Sequence, residues 1–192
     1  MAADTAILLW LNSFVGHLPW LDRAVSLAVS DYFVPTTLAL LMVGLWYSGR
    51  SEAQRERGQR AVADAAVGLG FANLAVTVLN HFYYRPRPFV EHELRLLFYQ
   101  PPDSSFPSNP AAVGFALATG IALSHRRLGG VMLALAFLWT AGRVYAGVNF
   151  PSDVVAGGAI GALCSVLAHG FLPLLEPGPT IVLNAWRRIY LA

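Results

Sequence analysis

Residues 128–175 read LGGVMLALAFLWTAGRVYAGVNFPSDVVAGGAIGALCSVLAHGFLPLL. Only Arg143 and Asp153 carry a formal charge in this stretch. It divides into an apolar run at 128–148, a short polar turn, and a second apolar run at 154–175. A helix needs about 20 apolar residues to cross a bilayer. Each run meets that length, so the stretch predicts two adjacent membrane spans joined by a turn that keeps an arginine and an aspartate.

Working outward, the same reading predicts a third apolar helix at Pro110–Ser124, short for a bilayer, and another at Ala61–Leu79. Tyr32–Tyr47 is a further span, with Pro35 either kinking it or marking a separate helix before it. Residues 5–18 place Ile7, Trp10, Leu11, Phe14 and Leu18 on one helical face, the pattern of a helix lying in the membrane interface. Pro19 starts a short helix with a polar stripe at Asp22, Ser26 and Ser30. Ser48–Arg60 reads as a polar linker and 81–108 as a long loop rich in proline and arginine. The tail from 176 to 192 breaks at Pro and Gly, then alternates apolar residues with Arg187 and Arg188, as an interfacial helix would.

The expectation is therefore an all-α membrane bundle of about five spans with interfacial helices at both ends. Residues 1–175 form the membrane domain and 176–192 the tail. The whole composition agrees. The 192 residues are 56% hydrophobic and 12% charged, with a mean hydropathy of +0.52. Soluble domains carry about 25% charged residues. These values exclude a disordered chain, a nucleic-acid binder and an ordinary soluble enzyme. Asp4 stands where a cleaved signal peptide would carry basic residues, so none is expected. Small residues at four-residue spacing, Gly68/Ala72, Gly142/Ala146 and Gly157/Gly161, allow close helix packing.

All 13 basic residues are arginine, so chemistry that needs a lysine is absent. Eight lie at one membrane face: Arg50, Arg55, Arg57, Arg60, Arg126, Arg127, Arg187 and Arg188. Five lie at the other: Arg23, Arg85, Arg87, Arg95 and Arg143. The positive-inside rule makes the first face cytoplasmic and turns the 81–108 loop outward. The single cysteine, Cys164, forms no intrachain disulfide and reads as a packing residue; no metal site or cofactor is expected.

Three outward segments carry the chemistry. They are Arg85-Pro86-Arg87-Pro88, Phe106-Pro107-Ser108-Asn109-Pro110, and Gly142-Arg143 through Asn149-Phe150-Pro151-Ser152-Asp153. An arginine near the end of a membrane helix is a functional-site hypothesis by default. Arg143 is expected to pair with Asp153, a loop carbonyl or a bound anion. Arginine forks bind phosphate oxygens bidentately. Ser108 precedes a helix whose free N–H groups favour an anion. Arg87, Ser108 and Arg143, supported by Arg85 and Asp153, therefore predict a phosphate site in one small pocket.

These segments resemble the three motifs of the type 2 phosphatidic acid phosphatase superfamily, the lipid phosphatase and haloperoxidase group: K-x6-R-P, then P-S-G-H, then S-R-x5-H-x3-D. The third looks most like the undecaprenyl-diphosphatase branch. Arg87-Pro88, Pro107-Ser108, Arg143 and Asp153 match. Asn80 stands at the lysine, Pro110 at the first histidine, Gly142 at the serine and Asn149 at the last histidine. The resemblance implies that the residue-149 histidine would attack phosphorus with the aspartate orienting it. The residue-110 histidine would protonate the leaving oxygen.

A carboxamide nitrogen has no useful basicity, and proline has no ionisable group. With both reacting positions changed, no catalytic residue is expected. The resemblance implies a catalytically silent relative, a pseudoenzyme that keeps a lipid-phosphate pocket. It would serve as a lipid-binding or transport component, or as an accessory subunit of a larger membrane complex. Two alternatives stand beside it: an active lipid phosphate or undecaprenyl-diphosphate phosphatase with atypical residues, and a membrane scaffold whose arginines only hold loops. His81 and His92 are candidate substitutes for the missing histidines but lie off the motif. His17, His125 and His169 are expected at the interface.

Overall fold

The structure is a computed structural model that describes residues 2–178 and residues 180, 181 and 185. Among them all regular structure is helical. In chain order the helices are α1 (Ala2–Asn12), α2 (Pro19–Ala28), α3 (Phe33–Tyr47), α4 (Glu52–Phe82), α5 (Pro88–Glu91), α6 (Asn109–Ser124), α7 (Arg126–Tyr145) and α8 (Pro151–Phe171). A 3₁₀ turn, Leu172–Leu175, continues α8.

Three segments are long and apolar enough to cross a membrane: α4, α7 and Pro151–Leu175. The pair α2 and α3 makes a fourth if it counts as one broken span, bent by 54°. Ser30 Oγ accepts the N–H of Phe33 at that break. Pro35 thus lies in the first turn of α3, so there are two helices rather than one kinked span. The fifth apolar helix, α6, has 16 residues. Such a helix is about 24 Å long against a hydrocarbon core of about 30 Å.

The position of α6 explains how a short helix is accommodated. It sits at the centre, packed by α4, α7 and α8. Ala111, Ala112, Gly114, Ala116, Leu117, Ala118, Gly120 and Ile121 are buried along it. Small residues on its neighbours bring the backbones close. A methyl at Gly157 would collide with the Ser108 carbonyl, and one at Gly161 with that of Ala112. Ser165 Oγ on α8 donates to the Ala116 carbonyl at 2.6 Å. Lipid offers no hydrophobic drive for helix association, so close contact and such hydrogen bonds hold the bundle.

Two expectations are corrected. The polar linker 48–60 is helical from Glu52 onward. Ser51 caps that helix through Gln54 N, and Arg60 reaches back one turn to Glu56. Glu56 and Arg60 form an i,i+4 pair on a helix surface instead of marking a loop. Asn12, read as a polar interruption on α1, is buried. Its amide donates to the carbonyls of Arg95 and Tyr145 and accepts from Arg95 N. It pins α1 to the loop and to α7, while Ile7, Trp10 and Phe14 stay exposed as expected. Most of the 176–192 tail, with Arg187 and Arg188, lies outside the described residues.

Candidate functional site

The end of α4, the start of α6 and the α7–α8 turn meet at one end of the bundle. Pro110 opens α6, where its missing N–H costs nothing, and Ser108 stands before it as the N-cap residue. Pro151 opens α8 in the same way. The Asp153 carboxylate folds back onto Phe150 N at 2.9 Å, closing the first turn of α8. Ser108 N donates to the Asp153 carbonyl at 3.0 Å, tying α6 to α8.

Asp153 is fully buried. Its second partner is Ser105, whose hydroxyl donates to Oδ2 at 2.5 Å. Its cation is Arg85 at 2.6 Å, not Arg143. Of the partners expected for Arg143 (Asp153, a loop carbonyl or a bound anion), Asp153 is not paired with it, for a geometric reason. Asp153 turns toward the 85–105 loop to cap its own helix, whereas Arg143 points to the other side of the turn. Arg143 Nε donates to Asn149 Oδ1 at 3.0 Å, and its guanidinium lies 5.1 Å from the Phe98 ring centre. Asp31 Oδ1 is 3.7 Å from its Nη1. That Nη1 has no hydrogen-bond partner among the described residues.

Arg87 is likewise drawn inward. Its fork donates to the carbonyls of Asp103 and Val148 at 3.1 and 3.0 Å and to Asp103 Oδ1 at 2.8 Å. Arg85 completes a network at the edge. It binds Ser152 Oγ and Asp4 Oδ2, each at 2.8 Å, and sits 4.0 Å above the Phe150 ring. Burial pushes the Asp4 carboxyl upward, but hydrogen bonds from Ser152 and Arg85 outweigh it and hold the group below the ordinary carboxylate range. The same two-sided balance at Arg85, burial against Asp4 and Asp153, keeps its guanidinium above its ordinary value.

Arg87, Ser108, Arg143, Asn149 and Asp153 are between 0 and 4% exposed, so the cluster is closed. It nonetheless holds polar atoms with nothing to bind. Ser108 Oγ, Arg143 Nη1 and Asn80 Oδ1 are buried without partners among the described residues. Leaving such groups unpaired costs about 1–3 kcal/mol each. Two of these three are donors at the predicted phosphate-binding residues.

Comparison with known proteins places the chain in a family. Residues 61–175 match the PAP2 superfamily. The chain belongs to that superfamily. This PAP2 chain is 31% identical over 159 residues to the putative undecaprenyl-diphosphatase YbjG of Escherichia coli, covering 80% of this chain and 76% of that protein. It is 23% identical over 165 residues to undecaprenyl-diphosphatase BcrC of Bacillus subtilis, covering 84% and 80%. The crystal structure of Aquifex aeolicus LpxE superposes with a TM-score of 0.63 at 27% identity, over 86% of this chain and 93% of that one. A PAP2-type phosphatidylglycerolphosphate phosphatase from Bacillus subtilis shares the fold, with a TM-score of 0.62 at 21% identity over 92% and 88%. The protein is thus an integral membrane member of a lipid phosphatase family.

Sequence reasoning missed four members of the cluster. Asp31, Asp103 and Ser105 each touch a matched motif residue, and Asp4 holds Arg85 and Ser152 beside them. The available signals were slight: an aspartate opening an apolar helix, and a serine three residues before Ser108. The His92 ring meets Phe150 edge-on at 6.5 Å, and the His81 ring meets its neighbour Phe82 edge-on at 5.1 Å.

Proposed function

We propose that this PAP2 protein binds a lipid phosphate or diphosphate at the Arg87–Ser108–Arg143 cluster without hydrolysing it by the family's histidine route. The observation that carries this is Asn149. Its Oδ1 accepts from Arg143 and its Nδ2 donates to the Ser105 carbonyl at 3.1 Å. Both ends of the side chain are engaged, and neither is a nucleophile. Pro110 supplies no acid. The arginines, Ser108 and the start of α6 supply positive potential, but binding substrate and transition state equally does not accelerate a reaction. In this reading the site faces outward on a bacterial plasma membrane, and the protein works as a lipid-binding component, alone or in a larger membrane complex.

A second reading is an active phosphatase, and the relatives favour it, because they are named as undecaprenyl diphosphatases. One contact offers it a route. Ser105 Oγ already hydrogen-bonds the Asp153 carboxylate. In that route Ser105 Oγ would attack phosphorus as its proton passes to Asp153, and the bond to the leaving oxygen would break. Water would then release phosphate from the serine. Purified protein offered undecaprenyl diphosphate and phosphatidic acid separates the two. Lipid binding without phosphate release supports the first reading. Release that disappears in Ser105→Ala supports the second.

A further inference from the structure

A cavity of about 740 Å³ lies at the opposite end of the bundle, lined by the start of α4, the end of α6 and the end of α8. That volume is within the range of small-molecule sites. Its walls include Ala53, Ala63, Val67, Leu172, Pro173 and Leu175. It shares the wall residues Val67, Leu172 and Leu175 with an adjacent space of about 280 Å³ between α4 and α8, lined by apolar residues such as Phe71, Leu167 and Phe171. A largely apolar chamber that carries charged side chains on its wall, beside an apolar groove, has the shape of an amphiphile with one head and one chain.

The charges in the chamber narrow the head group. Asp64 on α4 and His169 on α8 meet at 2.6 Å across the helix interface. Ionisable groups on two membrane helices mark a functional site by default. Arg60 is held by Glu56 and by Glu176, at 3.2 and 2.7 Å. Arg57 also lines the chamber and makes no ion pair among the described residues. Two arginines thus face three carboxylates. An anionic head would meet one cation outside these pairs, Arg57, in a chamber whose carboxylates outnumber its arginines by one. A zwitterion matches the pattern, with its phosphate on Arg57 and its amine toward the carboxylates. Quaternary ammonium heads are recognised by aromatic faces. Among the described residues the chamber is lined by no Phe, Tyr or Trp, so the amine that fits is a primary one, which donates hydrogen bonds to carboxylates.

We propose that this cavity is a binding site for one zwitterionic aminophospholipid, its head among Arg57, Glu56 and Glu176 and one chain along the α4–α8 groove. The site is separate from the phosphate cluster and stands whether or not that cluster hydrolyses its ligand.

The test uses the full chain, purified in detergent and stripped of lipid. It is offered phosphatidylethanolamine, phosphatidylcholine or phosphatidylglycerol with identical acyl chains, and lipid retained per chain is read by native mass spectrometry. The expected result is several-fold greater retention of phosphatidylethanolamine than of the other two. Arg57→Ala should reduce that retention several-fold. Leu167→Trp, at an exposed groove position, should do the same by filling the channel for the chain. Equal retention of the three lipids, preference for phosphatidylglycerol, no retention at all, or two folded variants that retain lipid like the parent would each overturn the proposal. Should Arg57→Ala fail to fold, Leu167→Trp decides alone.

Discussion

Arg143 Nε donates to Asn149 Oδ1 across 3.0 Å, inside a cluster where both residues are at most 3% exposed. The residue at the family's nucleophile position thus acts here as an acceptor for the arginine proposed to bind phosphate. Replacing Asn149 with alanine removes that acceptor and leaves Ser105 O without its donor. A loss of about 1–3 kcal/mol is expected per buried group left unpaired. Thermal unfolding in detergent measures it. An unchanged melting temperature would show that the pair contributes nothing.

Arg85 should matter more to the fold than its place outside the matched motif residues suggests. It joins α1, the loop and α8 through Asp4, Asp153 and Ser152. Removing one partner of a buried ion pair costs about 3–5 kcal/mol. Because the Arg85 side chain is 17% exposed, Arg85→Ala is expected near the lower end of that range. Arg60→Ala breaks pairs at a side chain 41% exposed and should cost under about 1 kcal/mol. Parallel melts of the two variants give the comparison.

The acid response follows from Asp4. Its carboxyl is held below the ordinary value by Ser152 and Arg85 against the opposing effect of burial. A depressed folded value means that the ionised form stabilises the fold above the unfolded carboxylate value of about 3.9. That contribution is lost as pH falls through the lower folded value. Asp4→Asn should therefore be less stable than the parent at neutral pH and lose less stability between about pH 5 and pH 2. Melting temperature against pH reads both effects.

Asp103 occupies an arginine that a ligand phosphate would use. Its Oδ1 is 2.8 Å from Arg87 Nη2, yet its side chain is 61% exposed. An exposed pair contributes up to about 1 kcal/mol. Asp103→Asn should strengthen binding of a lipid phosphate by up to about five-fold, measured by titration in detergent. Weaker binding would mean that Asp103 positions Arg87 instead of competing for it.

Hydropathy made the membrane helices legible because lipid imposes one rule on every residue of a span. The runs at 128–148 and 154–175 correspond to α7 and α8. Where charge and helix coexist the rule fails, and α4 therefore begins at Glu52, inside what read as a linker. Motif spacing located Arg87, Ser108, Arg143 and Asp153, since those segments close one end of the bundle. It did not give side-chain direction. The ten-position spacing of Arg143 and Asp153 suggested a pair, but the need to cap α8 turned Asp153 toward Arg85. Asp4 and Asn12 were beyond reach for another reason: each acts on residues more than 80 positions away, through helix packing that no local pattern encodes.

Phosphate release from undecaprenyl diphosphate by the purified protein, measured beside binding of the same lipid, tests the central claim most directly. The account predicts saturable binding that is lost in Arg143→Ala and no release above a no-protein control. Release that requires Arg143 and persists through purification would contradict it and establish the protein as an active phosphatase.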